Sequence, residues 1–296
     1  MNEKIKVTNL KGYSGCFVDL ISENNSLYVK KMSSNCAYNF RLKKQCLRQS
    51  KFKNTEYVKA PTIIKTGNEN GLFYFDMQYI QAKTLAEYTE YIETAEIKNF
   101  IVRLFESLYI ADEKFNSVAQ NIFEKKIWTL ENCLKEYSHL STSFKLLKDY
   151  DWSKIPKTPC HGDLTLENIL ITEDKKMYLI DFLDSFYSSW MIDVAKLLQD
   201  IELYWSFRYD EVSINRKLRL NFAKDSLVNE ILSLDNGEDK LVSIYHLLLL
   251  NIIRIFPYVK DNQAYDFLNA SIIKLENKLM NRGIHYEKDT NYTLCR

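Results

Sequence analysis

The chain has 296 residues, of which 46% are hydrophobic and 27% are charged. A chain of this length buries about three quarters of its unfolded surface, and its 7 glycines and 4 prolines exclude collagen-like, low-complexity and disordered proteins. The 40 Lys and Arg residues nearly balance the 39 Asp and Glu residues, and the net charge of +1 excludes general electrostatic attraction to nucleic acid or an anionic membrane.

The cysteines and apolar segments bear on the cellular compartment. The six cysteines contain no CxxC pair, so they predict reduced thiols in a cytoplasmic protein rather than a zinc site or a disulfide framework. No segment approaches the roughly 18 uninterrupted apolar residues of a membrane span. The most apolar segment, Leu241–Val259, contains polar residues such as Arg254 and predicts a buried helix.

Short apolar runs separated by turn residues occupy residues 5–80 and predict antiparallel strands. One such run, Cys16–Ile21, is separated from Leu27–Val29 by the turn-forming residues Glu23–Ser26. The polar segment Tyr38–Lys53 has a composition compatible with a helix. We therefore expect a small antiparallel sheet that carries one helix.

Beyond this predicted sheet, apolar residues recur every three to four positions, as they do on one face of a helix. The spacing predicts helices within 101–108, 121–148 and 213–282. Between them, Ile169–Ile171 and Met177–Ile180 have a β pattern and are joined by a polar turn, which predicts a hairpin.

The residues on either side of this hairpin carry the clearest chemical signal. His161–Asn168 reads HGDLTLEN, and the second strand ends in the sequence IDF, in which Asp181 is the acid. Because a hairpin folds back on itself, we expect Asn168 and Asp181 to lie close together. Amide and carboxylate oxygens are suitable Mg²⁺ ligands when substrate phosphates complete the site. Asp163 could accept the proton of an attacking hydroxyl, so the pattern predicts a phosphoryl-transfer site.

This pattern resembles the aminoglycoside phosphotransferase and choline kinase group of the protein-kinase-like superfamily, whose catalytic loop is HGDxxxxN followed by a strand ending in IDF. The resemblance implies an α+β, bilobal protein-kinase-like fold. It places a small antiparallel β-rich nucleotide-binding lobe at residues 1–80 and a larger, mainly helical catalytic and substrate-binding lobe at residues 81–296. The roles it implies near the hairpin are a catalytic aspartate at Asp163, Mg²⁺ ligands at Asn168 and Asp181, and structural support from His161 and Asp193.

The resemblance also implies a nucleotide site in the N-terminal lobe. Leu27–Lys30 resembles the family's third strand, in which Lys30 would bind the α- and β-phosphates and Tyr28, on the same face, would stack on adenine. Lys31 is an open alternative for the phosphate lysine. The turn Lys11–Gly15 could cover phosphates, although an ordinary turn explains it equally well. The implied cofactor-binding residues are Gly15, Tyr28, Lys30, Gln78, Tyr79 and Ile80, the last three through hinge backbone groups.

One departure from the family pattern concerns the partner of this lysine. The helix expected to supply a glutamate has Gln45 near that position. An amide can accept a hydrogen bond from an ammonium group but cannot neutralise its charge. Either Glu56 or another acid takes this place, the helix register differs, or the lysine is held weakly. The last possibility favours an alternative function as a catalytically weak pseudokinase or a nucleotide-binding regulatory module.

The acceptor is predicted to be a small molecule. Only residues 182–192 separate Asp181 from Asp193, whereas a protein kinase needs a long activation segment to bind a polypeptide. We expect Mg²⁺-dependent transfer of the γ-phosphate of ATP, with GTP possible, to a hydroxyl of an amino alcohol, sugar or aminoglycoside, and no nucleic-acid partner. Arg254 either pairs with an acid or lines the pocket. Four acids could face a cationic acceptor or lie as solvated helix charges: Glu167, Asp184, Asp200 and Glu202.

Overall fold

The computed structural model describes residues 4–9, 15–111 and 117–281. Its strands are β1 (Lys4–Asn9), β2 (Cys16–Glu23), β3 (Ser26–Ser33), β4 (Val58–Lys59), β5 (Ile63–Glu69), β6 (Leu72–Gln78), β7 (Lys83–Thr84), β8 (Ile169–Ile171) and β9 (Met177–Leu179). Its α-helices are α1 (Asn39–Ser50), α2 (Leu85–Tyr88), α3 (Thr94–Leu108), α4 (Ser117–Cys133), α5 (Ser141–Asp149), α6 (Trp190–Ile201), α7 (Ile214–Leu232), α8 (Gly237–Ile253) and α9 (Asn262–Met280).

Five antiparallel strands form the N-terminal sheet in the order β1-β2-β3-β6-β5. The β2–β3 hairpin turns at Asn24 and Asn25, whose φ angles of 52° and 59° suit a tight hairpin turn, and asparagine tolerates this left-handed conformation. Helix α1 covers one face of the sheet. The small core between them contains Leu20, Val29, Leu42, Cys46, Phe73, Phe75 and Met77.

A second and larger core lies among the helices of the C-terminal region. Helix α6 is buried along nearly its whole length and packs against α8, so both are apolar on most of their surface. By length and composition, Gly237–Tyr258 could cross a membrane, but 72% of its most apolar window is buried inside the protein. This stretch contributes to the helical core, as the sequence predicted.

The predicted hairpin is present as β8 and β9, in which Ile169 pairs with Leu179. It belongs to a four-stranded sheet with the order β4-β9-β8-β7. Strand β4 comes from the first 80 residues yet pairs with β9 in parallel, and this pairing joins the N-terminal region to the hairpin. The predicted α+β architecture of a small antiparallel sheet followed by a mainly helical region is confirmed. The division at residue 80 remains a prediction.

Candidate active site

The β8–β9 hairpin gathers the three acidic and amide residues singled out in the sequence. The backbone N–H of Ile180 donates to the carbonyl of Asn168 at 3.0 Å, which places Asp181 beside Asn168. The Asn168 Nδ2 donates to the Asp163 carbonyl at 2.8 Å, and this leaves Oδ1 as the amide atom able to bind a cation. Asp181 has a φ of 61°, a left-handed conformation that costs a non-glycine residue about 1–2 kcal/mol.

Asp193 holds the start of the catalytic loop from the first turn of α6. Its two carboxylate oxygens accept the backbone N–H groups of His161 at 2.6 Å and Gly162 at 2.7 Å. Burial raises the pKa of Asp193 to about 7, against the lowering effect of these two hydrogen bonds. Gly162 has a φ of 92°, and a Cβ here would lie 2.4 Å from the Leu183 carbonyl oxygen, so the loop requires glycine at this position.

His161 joins the loop to the strand that precedes Asp181. Its Nε2 lies 2.7 Å from the Ile180 carbonyl, and since a carbonyl only accepts, Nε2 carries the proton. Nδ1 then accepts the backbone N–H of Asp163 at 3.3 Å. Burial lowers the pKa of His161 to about 4, so the ring is neutral near pH 7, and it packs against Phe182.

A second acid of α6 also binds the catalytic segment. Asp200 lies two turns after Asp193 on the same helix face, and it accepts the backbone N–H of Leu166 at 2.6 Å. It also accepts hydrogen bonds from the backbone N–H and the hydroxyl of Ser206, at 3.0 Å and 2.7 Å. Burial raises the pKa of Asp200 to about 6. Asp200 therefore supports the loop and does not face a substrate.

Lys196 is a site residue that the sequence analysis missed. It lies between Asp193 and Asp200 on the polar face of α6, and its Nζ is 3.1 Å from Oδ1 of Asp163. Asp193, Lys196 and Asp200 follow one another at intervals of three and four residues along an otherwise apolar helix. Residues with this spacing share one helix face, so the pattern could have identified Lys196 from the sequence.

Two adjacent lysines of β3 have different surroundings. Lys31, which is almost completely buried, places its Nζ 2.7 Å from Oδ1 of Asp181. Lys30 points to the opposite face of the sheet, where it pairs with Glu69 and lies over the ring of Tyr74. Because successive side chains on a strand alternate between faces, only one of the two can reach the hairpin. The structure thus places Lys31, the alternative that the sequence left open, rather than Lys30 beside Asp181, and the phosphate-binding role of either lysine stays a prediction.

The same alternation displaces Tyr28 from the expected adenine site. Tyr28 shares the face of Lys30, and its hydroxyl donates to Oε2 of Glu23 at 3.1 Å. Burial and the hydrogen bond to Glu23 raise the pKa of Tyr28 to about 12. Val29, rather than Tyr28, lies on the face that carries Lys31, and the stacking of Tyr28 on adenine stays a prediction.

Helix α1 contains no glutamate, and the acids that pair with the two lysines of β3 come from elsewhere: Glu69 pairs with Lys30, and Asp181 pairs with Lys31. Gln45 is buried and donates its Nε2 to the hydroxyl of Tyr38 at 3.2 Å, while its Oε1 has no hydrogen-bond partner in the described part of the chain. Glu56 is exposed and lies near Lys176. The carboxylate that pairs with Lys31 is Asp181 itself.

The remaining cofactor-binding candidates lie at the ends of two inner strands of the N-terminal sheet, β2 and β6. The backbone N–H of Gln78 is bonded to the Thr62 carbonyl at 2.9 Å and is not free for adenine. The N–H groups of Tyr79 and Ile80, just after β6, have no hydrogen-bonded partner within residues 15–111 and 117–281. Gly15 accepts the N–H of Ser34 at 3.2 Å. Residues 11–14 of the predicted glycine-containing turn lie outside the described residues.

The sequence left open whether four acids face a cationic substrate or are exposed to solvent. Three of the four have partners inside the protein. Asp200 binds backbone groups, as described above. Glu202 is buried and accepts from Lys278 at 2.8 Å, and Asp184 pairs with Lys44 of α1 at 3.0 Å. Glu167 is exposed. The side of the loop that faces the helices therefore presents fewer free carboxylates than the sequence suggested.

Comparison with known proteins identifies the family. A model of the phosphotransferase enzyme family matches residues 46–227, more than half of the chain. A search of curated proteins found no match.

Among solved structures, the chain is similar to an aminoglycoside-3'-phosphotransferase of type VIII, with 13% identity, a TM-score of 0.50 and coverage of 84% of this chain and 93% of that one. A spectinomycin phosphotransferase in complex with ADP and spectinomycin has 11% identity, a TM-score of 0.50 and 92% coverage of both chains. A choline kinase from Streptococcus pneumoniae has 14% identity and a TM-score of 0.47, with coverage of 93% and 94%. The chain belongs to the phosphotransferase enzyme family and has its kinase-like fold.

Proposed function

We propose that this phosphotransferase is an ATP- and Mg²⁺-dependent kinase that phosphorylates a hydroxyl of a small molecule. The observation that carries this proposal is the ion pair between Lys31 and Asp181, with Nζ and Oδ1 2.7 Å apart. It brings a buried cation from the N-terminal sheet to the end of the hairpin, beside Asn168, whose side chain bonds the Asp163 carbonyl. A cation, two oxygen ligands and a proton acceptor are the components that phosphoryl transfer requires.

The donor set of the site suits Mg²⁺. Asp181 and the Oδ1 of Asn168 are hard oxygen ligands, and one carboxylate with one amide is a common protein contribution when phosphates complete the coordination. When bound, the ion would neutralise phosphate charge. Asp163 would accept the proton of the acceptor hydroxyl, and Lys31 would stabilise the charge on the nucleotide phosphates.

An adenine nucleotide is the proposed phosphate donor. The similar spectinomycin phosphotransferase was solved with ADP, and the N–H groups of Tyr79 and Ile80, which have no partner among the described residues, are suitable donors to a purine ring edge. We further propose that residues 1–80 hold the nucleotide and residues 81–296 the acceptor. The short segment between Asp181 and Asp193 supports a small acceptor rather than a polypeptide.

The test is Mg²⁺-dependent ADP formation over a panel of small alcohols, with GTP in parallel. We expect Asp163→Asn to reduce turnover by roughly 10²–10⁴-fold, the contribution typical of a general base, while nucleotide affinity in calorimetry stays unchanged. Asp149→Asn, at an exposed position of α5, is the matched control and should be fully active. Turnover by Asp163→Asn equal to that of the wild type would contradict the proposal.

A nucleotide-binding module without catalysis is the alternative, and the amide of Gln45 in place of a carboxylate is the observation that favours it. It predicts tight nucleotide binding by the wild-type protein with no acceptor-dependent ADP formation across the whole panel.

A further inference from the structure

Arg254 follows the last residue of α8 and carries a partly buried positive charge. Its guanidinium lies 4.9 Å from the ring centroid of Phe186, and its Nη1 donates to Oδ1 of Asn251 at 3.3 Å. Across the described residues, Arg254 forms no salt bridge with any carboxylate. Phe186 follows Leu183 by three residues, and the Leu183 N–H donates to the His161 carbonyl at 2.9 Å, so the contact with Phe186 places Arg254 near the loop that contains Asp163. Burial lowers the pKa of Arg254, and the negative charge of Asp163 opposes this lowering.

A second cation lies on a helix that packs against Phe186: the ring of Phe123, on α4, is 5.1 Å from that of Phe186, and Lys126 follows Phe123 by about one turn. Lys126, from helix α4, is also partly buried, and its pKa is lowered by burial and by the positive charge of Arg254. Arg41 of α1 adds a further positive charge that lowers the pKa of Arg254. Like charges that are partly shielded from water repel each other, and an anion placed between them relieves this repulsion.

One buried donor next to Arg254 has no acceptor among the described residues. Asn251 is 5% exposed, and its Nδ2 has no hydrogen-bond partner among the described residues. Lys196 already occupies one oxygen of Asp163 at 3.1 Å. A buried donor without an acceptor is costly, so the Nδ2 of Asn251 suits a ligand that supplies negatively charged oxygens.

A cationic acceptor would need the opposite surroundings. Glu202, Asp184 and Asp200 have their own partners in the protein, as described for the site. Among the four acids considered from the sequence, this leaves the exposed Glu167 for an amino group. The charge balance on this side of Asp163 therefore favours an anionic molecule over an amino alcohol or an aminoglycoside.

We infer that the acceptor is an alcohol that also carries a carboxylate or phosphate group, and that Arg254 and Lys126 bind this anion while the hydroxyl meets Asp163. The inference rests on the proposed kinase function. In the reaction, the hydroxyl oxygen bonds to the γ-phosphorus, the bond from this phosphorus to the β–γ bridging oxygen breaks, and the hydroxyl proton passes to Asp163.

The experiment compares acceptors that differ in one charged group. The three-carbon series is glycerol, glycerate, glycerol 3-phosphate and 3-amino-1,2-propanediol, and the six-carbon series is glucose, glucuronate, glucose 6-phosphate and glucosamine. We expect kcat/KM to be about 10- to 100-fold higher for an anionic member than for its neutral partner, as one charge-assisted hydrogen bond provides, and lowest for the amine. Comparing the acceptors that carry a carboxylate with those that carry a phosphate shows which anion the site prefers.

Two variants test the assigned residues. Arg254→Gln and Lys126→Gln should each lower the anionic-to-neutral ratio of kcat/KM by about 10-fold or more while the KM for ATP stays within about twofold. The control is Lys145→Gln, which removes an exposed lysine paired with Asp149 and should leave the ratio unchanged. Thermal melting checks folding, and Lys126→Gln retains the test if Arg254→Gln does not fold.

The outcomes separate this inference from the proposed function. Preference for an amine or neutral acceptor, with ADP formation that depends on Asp163, would overturn the inference and leave the kinase function intact. The inference would also be overturned if both variants kept the wild-type anionic-to-neutral ratio of kcat/KM, or if they raised the KM for ATP instead. The absence of Asp163-dependent ADP formation with every acceptor would overturn the proposed function and the inference with it.

Discussion

The catalytic segment, residues 161–200, and the N-terminal sheet, residues 16–78, position their charged groups in different ways. In the catalytic segment, buried acids such as Asp193 and Asp200 bind backbone N–H groups and hold a loop in place. In the sheet, adjacent lysines lie on opposite faces and have unrelated partners. In the catalytic segment, the spacing of residues within a loop, a hairpin and a helix sets the positions of the charged groups. In the sheet, the alternation of side chains between the two faces of a strand sets them. A residue's position in a sequence motif therefore predicts its role better in the catalytic segment than in the sheet.

The largest expected effect is a difference in kcat/KM between variants of the two lysines of β3. We expect Lys31→Met to lower kcat/KM by roughly 10²–10³-fold, the usual effect of removing one preorganised charged donor, because it removes the cation beside Asp181. Lys30→Met, on the opposite face, should change it by less than about threefold. Steady-state kinetics with a common acceptor measures both.

Equal losses in the two variants would show that the face of the strand does not decide the role of a lysine here. A larger loss in Lys30→Met would restore the interpretation made from the sequence alone. Calorimetric titration with ATP distinguishes lost nucleotide binding from lost turnover in either variant.

The buried acids of the catalytic segment should matter for folding as well as activity. Asp193→Asn replaces one carboxylate oxygen with an NH₂ group that faces a backbone N–H, so we expect a loss of about 3 kcal/mol in the free energy of unfolding. Denaturant unfolding measures this loss. Asp149→Asn, at an exposed helix position, should change stability by less than about 0.5 kcal/mol. A similar small change in Asp193→Asn would mean that the loop does not depend on this carboxylate.

Buried His161 should make stability depend on pH. Its pKa is about 4 in the folded protein and near 6.5 in the unfolded chain, so its contribution is complete above pH 6.5 and is lost as the pH falls towards 4. The expected loss approaches about 3 kcal/mol. Asp193 and Asp200 act in the opposite direction in this range, since their raised pKa values favour the protonated folded state.

The comparison of wild type with His161→Gln isolates the histidine from these two acids. The difference in unfolding free energy between the two proteins should shrink as the pH is lowered from 6.5 to 4. A difference that stays constant over this range would contradict a buried neutral imidazole.

The smallest expected effect concerns Lys196, which positions Asp163. Lys196→Met should lower kcat by about tenfold with little change in the KM for ATP, because the Asp163 carboxylate loses a charged hydrogen bond at 3.1 Å. Lys196→Arg should restore most of the activity, since it can donate to the same oxygen. Loss of stability without a change in kcat would indicate a purely structural role.

The sequence predicted much of the fold because its patterns are local. The antiparallel strands followed from alternating apolar runs and turn residues, and the hairpin at Ile169–Leu179 followed from two short β-type runs around a polar turn. The helical region followed from apolar spacing. The closeness of Asn168 and residue 180 follows from the hairpin, where a hydrogen bond of 3.0 Å joins them.

The sequence by itself determined the family, the architecture and the segment in which Asp163, Asn168 and Asp181 lie, because short-range spacing encodes loops, hairpins and helix faces. The choice between Lys30 and Lys31 depended on strand register, which long-range pairing sets. The surroundings of Lys196 and Arg254 were likewise decided by tertiary structure alone, because charges distant in sequence meet only when helices pack. The charge around Asp163 is a sum over such packed elements, and no single segment contains it.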